Sequence, residues 1–398
     1  MMTLQILGFC SLICIAPQYI WVIALLFLYL PMVGIPVLSG SVSQGIFLSA
    51  CSVVVAIQLT RKSRNRRRNP LMFAFGMWAS FVVIKCLFME DSLSVSVARF
   101  VYVAITVATA MALEDTEHFR KYAFVSAALA SCVAIYGFAV GIENAYMPRS
   151  EFAVVLDRNI QGWCLVFGFL PLLAYAVISP VAGPWTRVLA AMSSVICALC
   201  ALGYSTRSGS VSCAIGVLCI FARRLTTKTI LALVLLVMII GGLALKFELW
   251  DAYMARWDEN NVRTAGGRTE YVESMFTAYL KLPLFQQLFG GYESAPVVLG
   301  RQESTARLGT HNGYLTLLLE NGAVGLFVFL TIIYILLKKC LHSSSWTGIA
   351  ILSTSCAFLV TLLTLDLLNS LSGWIAMGIL LTMWKPISHR IKPNRPLC

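Results

Sequence analysis

The chain has 398 residues, of which 59% are hydrophobic and only 12% are charged. A soluble globular domain carries about 25% charged residues, so this chain has too little polar surface to coat a water-soluble fold. The net charge of +12 is scattered over short connections instead of following one face, which argues against a nucleic-acid-binding protein. The composition therefore predicts a membrane protein.

Long apolar runs fill most of the chain and predict an all-α fold. A helix needs about 20 apolar residues to cross a bilayer, and backbone groups in lipid must be bonded internally. The runs do not alternate as the strands of an outer-membrane barrel would. By length they predict about twelve transmembrane helices, at residues 10–38, 44–60, 70–89, 96–113, 122–142, 161–178, 188–204, 209–222, 229–247, 313–337, 346–366 and 371–384.

Basic clusters predict the orientation of these spans. The clusters lie at residues 61–68, 223–228, 338–339 and 385–395. Alternate connections of the predicted bundle place all four on one side. Lys and Arg accumulate on the cytoplasmic side of membrane proteins, so we expect both termini in the cytoplasm.

This threading divides the chain into three parts. They are an N-terminal bundle of about nine spans (1–247), a large periplasmic loop (248–312), and C-terminal spans with a basic tail (313–398). The loop contains an amphipathic stretch from Arg268 to Leu282, preceded by two glycines and followed by a proline. We expect a helix there that lies on the membrane surface with its apolar face down.

Several cations map to the predicted periplasmic side, although Lys and Arg usually accumulate on the cytoplasmic side. Arg207 follows a span in the segment Ser205–Gly209, and Arg268 opens the amphipathic stretch. An arginine at the membrane boundary is costly unless it is paired, and guanidinium groups suit phosphate. The pattern favours an anion site, while ion pairing with loop carboxylates or snorkelling to headgroups stays open. Further cations on this side are Lys85, Arg99, Arg149, Arg158, Arg263, Arg301 and Arg307.

One of the four histidines, His311, maps to the periplasmic side, directly before a predicted span. Imidazole titrates near neutral pH and suits proton transfer, although an interfacial polar residue would also fit this position. Glu320 lies within the span that follows, where a carboxylate would fit either a transporter's proton relay or an ion pair with an outer arginine. The sequence has no metal or nucleotide motif, so we expect no metal and no cofactor.

Ordered motifs cover roughly residues 190–340. They are Ser205–Gly209 opening a span, Gly267-Arg268 opening a loop helix, Leu288-Phe289-Gly290-Gly291 after it, and His311–Leu315 running to Glu320–Leu326. In order, spacing and sidedness these motifs resemble the O-antigen ligase and O-antigen polymerase superfamily of bacterial membrane glycosyltransferases.

The resemblance implies an all-helical, GT-C-like enzyme of the bacterial inner membrane that builds the surface polysaccharide of the cell envelope. Its donor would be a glycan on undecaprenyl diphosphate. Its acceptor would be another lipid-linked repeat unit for a polymerase, or the lipid A–core of lipopolysaccharide for a ligase. The shared motifs do not separate these two activities. On the residues alone, a secondary transporter or flippase stays the alternative.

The resemblance also implies roles for individual residues. Arg207 and Arg268 would hold the diphosphate, and His311 would orient or deprotonate the attacking hydroxyl. Arg263, Arg301 and Arg307 in the loop are rival phosphate ligands, and Arg158 is a further candidate for binding the diphosphate. Asn312 and Glu320 are candidate supporting residues.

Overall fold

The computed structural model describes residues 17–29, 32, 103, 106–113, 115–140, 158–204, 206–254, 268–290, 312–365 and 371–382. Every regular element in these segments is helical, which confirms the predicted all-α fold for them. After a 3₁₀ turn (Pro17–Tyr19) come α1 (Ile20–Tyr29), α2 (Thr116–Val140), α3 (Arg158–Ile178), α4 (Pro184–Gly203), α5 (Arg207–Phe221), α6 (Thr227–Lys246), α7 (Leu249–Met254), α8 (Arg268–Lys281), α9 (Leu284–Phe289), α10 (Gly313–Leu341), α11 (Trp346–Leu362) and α12 (Leu371–Thr382).

Five of these helices are long and apolar enough to cross a membrane, namely α2, α3, α4, α6 and α10. Two shorter apolar helices, α5 and α11, pack among them. Each of the seven overlaps a predicted span. The predicted spans at residues 44–60 and 70–89 lie outside the described residues, so the count of about twelve stays a prediction.

Helix α3 forms the centre of the bundle and is surrounded by α2, α4, α5 and α11. Residues 161–176 are buried on every side, as expected for a helix that is apolar all round. Small residues let the neighbouring helices approach closely. The backbone at Gly168 lies against Tyr29 and Ala130, and the Tyr29 hydroxyl donates to the carbonyl of Cys164 at 2.8 Å.

One end of the bundle, which we call the basic end, collects the C-termini of α3, α5 and α10. Arg223 donates through Nη2 to the carbonyl of Leu341 at 2.7 Å. Arg224 donates through Nη1 to the carbonyls of Val177 at 2.8 Å and Ile178 at 3.2 Å. Cations at helix C-termini satisfy carbonyls that have no partner within the helix and complement the helix dipole.

The basic end also contains the first turns of α2, α4, α6 and α11. The Trp346 ring that opens α11 packs on Tyr175 near the end of α3, with ring centroids 4.8 Å apart. It also packs on Phe119 in the first turn of α2, at 5.5 Å. Cations near these turns and helix ends are Arg120, Lys121, Arg187, Arg223, Arg224, Lys228, Lys338 and Lys339. The fold therefore gathers at one end several basic residues that are far apart in sequence.

Candidate active site at the opposite end

At the end opposite the basic end, the first turns of α3 and α5 touch. A Cβ built on either Gly162 of α3 or Gly209 of α5 would lie 2.5 Å from Oγ1 of Thr206. Because only hydrogen occupies these positions, the two helix starts approach closely around the Thr206 side chain. Arg158 is the first residue of α3 and Arg207 is the first residue of α5. Two of the predicted diphosphate ligands therefore open adjacent helices.

Helix α5 is short for a transmembrane segment. Its 15 residues rise about 22 Å, whereas the hydrocarbon layer is about 30 Å thick. Arg223 and Arg224 follow its C-terminus at the basic end. A straight α5 whose C-terminus lies at one surface of the hydrocarbon layer would therefore not reach the opposite surface. Thr206, which precedes α5, is fully buried.

Helix α10 joins this end of the bundle through α11. The hydroxyls of Ser212 in α5 and Thr361 in α11 lie 2.6 Å apart. Beside them, the backbone of Gly313 packs on Leu362 in the last turn of α11. The Tyr314 hydroxyl donates to the carbonyl of Leu359 at 2.9 Å. The start of α10 therefore lies at the same end as the starts of α3 and α5.

Asn312 caps the N-terminus of α10. Its Oδ1 accepts from the backbone N–H of Tyr314 at 3.0 Å and of Leu315 at 3.1 Å. The predicted supporting residue thus has a defined structural role, because it bonds N–H groups that have no partner within the helix. His311, the predicted base, immediately precedes this cap in the chain and lies outside the described residues.

The loop helices α8 and α9 pack on the first turns of α10. Met275, Ala278 and Tyr279 of α8 form an apolar cluster with Leu319 of α10. The Tyr279 hydroxyl donates to the carbonyl of Gln287 in α9 at 2.8 Å, and burial raises the pKa of this phenol. These contacts hold α8, whose first residue is Arg268, against the α10 segment that follows His311.

The apolar residues of α8 are divided between two surfaces. Met275 and Tyr279 face α10, whereas Val272, Phe276 and Leu280 are exposed along one side of the helix. The sequence predicted a single apolar face turned to the membrane. The structure shows that α10 covers part of that face, and membrane contact by the exposed stripe stays a prediction.

The glycines of two sequence motifs meet where α9 ends. Gly290 has φ 84° and ψ 160°, and Gly322 has φ 67° and ψ −178°. Both lie in a backbone region that is essentially restricted to glycine. A Cβ at Gly322 would overlap the carbonyl of Leu288. Leu288 and Gly290 of the first motif therefore lie against the backbone of Gly322 in the second motif.

Gly322 also divides α10 into two segments, residues 313–321 and 323–341. The second segment has nineteen residues, which is about 28 Å and nearly sufficient to span the hydrocarbon layer alone. The sequence predicted one continuous span at residues 313–337. In the structure, the segment with Asn312 at its start and Glu320 near its end is set apart by a kink, and Glu320 is 4% exposed.

Two buried side-chain oxygens near this end were not anticipated from the sequence. Within the described part of the chain, Oε1 of Gln161 and Oγ of Ser208 have no hydrogen-bond partner, although both residues are at most 5% exposed. Gln161 lies one turn beyond Arg158, and Ser208 follows Arg207 directly. Polar atoms buried without partners cost free energy, so their position beside two helix N-termini marks them as candidate ligand contacts.

The structure thus brings Arg158, Arg207 and Asn312, at the starts of α3, α5 and α10, to one end of the bundle. Glu320 lies further along α10, on which α8 packs. For Arg158 and Arg268 it defines the position at a helix start and nothing of the side chain. Arg263, Arg301, Arg307 and His311 lie outside the described residues.

This fold and site are those of a multi-pass helical membrane protein with its candidate site at one end of the bundle. Residues 192–330 match the family model described as O-antigen ligase. The match confirms the superfamily that the sequence motifs resemble, that of O-antigen ligase and polymerase-type membrane enzymes. The matched segment contains Arg207, Arg268, His311 and the Gly290–Gly322 contact. A search of curated proteins found no match.

Proposed function

We propose that the protein transfers a glycan from undecaprenyl diphosphate to an acceptor sugar hydroxyl at the periplasmic face of the bacterial inner membrane. The acceptor is another lipid-linked repeat unit or the lipid A–core. The main support for this proposal is that α3 and α5, which begin with Arg158 and Arg207, meet at their starts. This contact lies at the end of the bundle away from the basic clusters. The start of α10 joins them there.

The distribution of charge supports the orientation. Lys and Arg mark the cytoplasmic side, so the basic end lies in the cytoplasm and the candidate site faces the periplasm. A lipid-linked donor in the outer leaflet would then reach the site from within the membrane. The short α5 suits this route, because it would leave Arg207 within the outer part of the membrane rather than beyond its surface.

The helix starts supply the electrostatics for a diphosphate. A helix N-terminus presents backbone N–H groups that lack partners and about half a positive charge. Those of α3 and α5 converge around Thr206. Arginine adds a planar fork that bonds two phosphate oxygens at once. Arg207 and Arg268 hold the donor in this account, and Arg158, Arg301 and Arg307 are further candidates.

The reaction needs a base and a stabilised leaving group. The acceptor hydroxyl oxygen attacks the anomeric carbon of the donor while the bond from that carbon to the diphosphate oxygen breaks. His311 takes the hydroxyl proton, and undecaprenyl diphosphate leaves with the electron pair. Cationic groups placed where this charge develops lower the barrier. The energy of the donor linkage drives the transfer without metal or nucleotide.

The contact between Gly290 and Gly322 supports the assembly of this site. It fixes the end of the α8–α9 pair on α10, two residues after Glu320 and ten after the Asn312 cap. Residues from the loop and from the bundle can therefore act on one substrate. In this proposal Asn312 positions His311 by fixing where α10 begins.

A complementation experiment tests the proposal. In a strain lacking the gene, His311→Ala and Arg207→Ala should fail to restore long surface polysaccharide at normal protein levels, whereas Lys121→Ala at the basic end should restore it. Loss of long chains with one repeat unit on the core indicates a polymerase. Bare core with accumulated lipid-linked polymer indicates a ligase. Normal polysaccharide in both site variants would contradict the proposal.

A further inference from the structure

A cavity of about 700 Å³ opens at the basic end between α3, α4, α5 and α6, remote from the candidate active site. Its size falls within the range of small-molecule and cofactor pockets. Its charged lining consists, among the described residues, of Arg187, Arg224 and Lys228. No carboxylate of the described chain lines it, so its net charge is positive.

The cations of the cavity lie along its polar edge. Arg187 is in the first turn of α4 and Lys228 is in the first turn of α6, and both are exposed. Arg224 is fixed through Nη1 to the last carbonyls of α3, which orients its guanidinium. Thr226, Thr227 and Thr229 also line this edge, and the hydroxyls of Thr226 and Thr229 are hydrogen-bonded within the cap of α6.

The remaining wall is apolar and built from small side chains. Ala176, Ala190 and Ala232 leave a channel that Leu173 and Leu236 continue away from the cations. An arrangement of clustered cations above an apolar channel matches an amphipathic anion better than a free inorganic one. The cations would bind the charged group while the channel takes a hydrocarbon chain.

The surroundings of the cavity indicate that its occupant comes from the bilayer. The outward side chains of the flanking helices are exposed and apolar, including Leu189 and Met192 on α4 and Leu231 and Leu235 on α6. Trp185, 80% exposed at the start of α4, marks the membrane–water interface, where exposed tryptophan concentrates. A bilayer whose interface lies at Trp185 would place the cationic edge at headgroup depth and the channel in the acyl-chain region.

We propose that this cavity binds an anionic phospholipid of the cytoplasmic leaflet, with its phosphate between Arg187, Arg224 and Lys228 and an acyl chain along Ala190, Ala232 and Leu236. The cytoplasmic leaflet is the one that faces the basic end under the positive-inside rule. Basic pockets between transmembrane helices on this side are suited to lipid headgroups. Binding of lipid in this cavity does not depend on the proposed transferase activity.

Native mass spectrometry of the delipidated, detergent-solubilised protein tests the site. Phosphatidylglycerol should bind in preference to phosphatidylcholine with the same acyl chains. Arg187→Ala/Lys228→Ala should weaken phosphatidylglycerol binding about 25-fold, since each basic group near a membrane surface contributes about fivefold. The charge-matched control Lys121→Ala/Lys338→Ala, at the same end but outside the cavity, should leave binding within about twofold of the parent.

A third variant separates a lipid from a free phosphate. Ala232→Trp fills the apolar channel and keeps every cation, so it should abolish binding of phosphatidylglycerol. If the cavity recognises only a phosphate group, Ala232→Trp should still bind phosphatidylglycerol, and added inorganic phosphate should displace that lipid. This result would overturn the proposal. Equal binding of the two lipids, or an unchanged Arg187→Ala/Lys228→Ala variant, would also overturn it. Arg187→Gln/Lys228→Gln replaces the alanine pair if that pair fails to fold.

Discussion

Gly290 and Gly322 lie backbone to backbone, and each has a positive φ that a side chain would strain. This contact joins the end of loop helix α9 to the kink in α10. It is the point at which two separated motifs of the sequence become one structural unit. A substitution there should therefore affect the arrangement of the site as well as the stability of the fold.

Gly322→Ala should abolish long surface polysaccharide. Placing alanine in this backbone region costs on the order of 1–3 kcal/mol, and its Cβ would also overlap the carbonyl of Leu288. The α8–α9 pair would have to move away from α10. Gel analysis of the polysaccharide and immunoblotting of membranes measure the effect. Gly241→Ala is the matched control, because a Cβ there meets nothing within 4 Å. Normal polymer in both variants would show that the contact between Gly290 and Gly322 is not required.

The joined starts of α3 and α5 can be tested with a pair of substitutions. Gly162→Ala places a methyl group 2.5 Å from Oγ1 of Thr206, so it should separate the two helix starts and reduce polymer about tenfold or more. Thr206→Ala removes the opposing atoms, and the double variant should recover much of the activity. Such non-additivity is expected of groups in direct contact. Strictly additive losses in polymer yield would show that the two residues act separately.

Substitutions at Asn312 test whether the site needs an oxygen that caps the start of α10. Asn312→Ala should lower the stability of the purified protein by about 1 kcal/mol and reduce activity, because two N–H groups at the start of α10 lose their acceptor. Asn312→Ser keeps a capping oxygen and should retain most of both. Thermal unfolding and polymer length provide the two measurements. If Asn312→Ser were as inactive as Asn312→Ala while remaining stable, the amide would have to contact substrate directly.

Arg207 is expected to act through its geometry as well as its charge. Arg207→Lys keeps the cation but loses the planar fork, so it should retain partial activity where Arg207→Ala has none. The loss in Arg207→Lys should include a higher KM for the lipid-linked donor, since the residue binds the diphosphate before and during transfer. Donor titrations in proteoliposomes measure this. If the Arg207→Lys variant had the kcat and KM of the parent protein, Arg207 would not bind the donor as proposed.

Hydropathy predicted the helices well because burial in lipid demands long apolar runs, and α4 and α6 follow the predicted spans closely. The motifs identified Arg207 as the start of a helix and Asn312 as part of the site segment. The kink at Gly322 was missed, since a glycine in an apolar run fits a continuous helix until another backbone packs on it. Gln161 and Ser208 were missed for a related reason. The sequence does not show that their side-chain oxygens are buried without hydrogen-bond partners.

The most direct test of the central claim is transfer by the purified protein in liposomes. The reaction contains a synthetic repeat unit on undecaprenyl diphosphate, both candidate acceptors and EDTA, with no nucleotide. The parent protein should release undecaprenyl diphosphate and form an extended glycan or a glycosylated lipid A–core, and His311→Ala should be slower by about 10²-fold or more. Equal rates for the two proteins, or no transfer by the parent protein, would contradict the account.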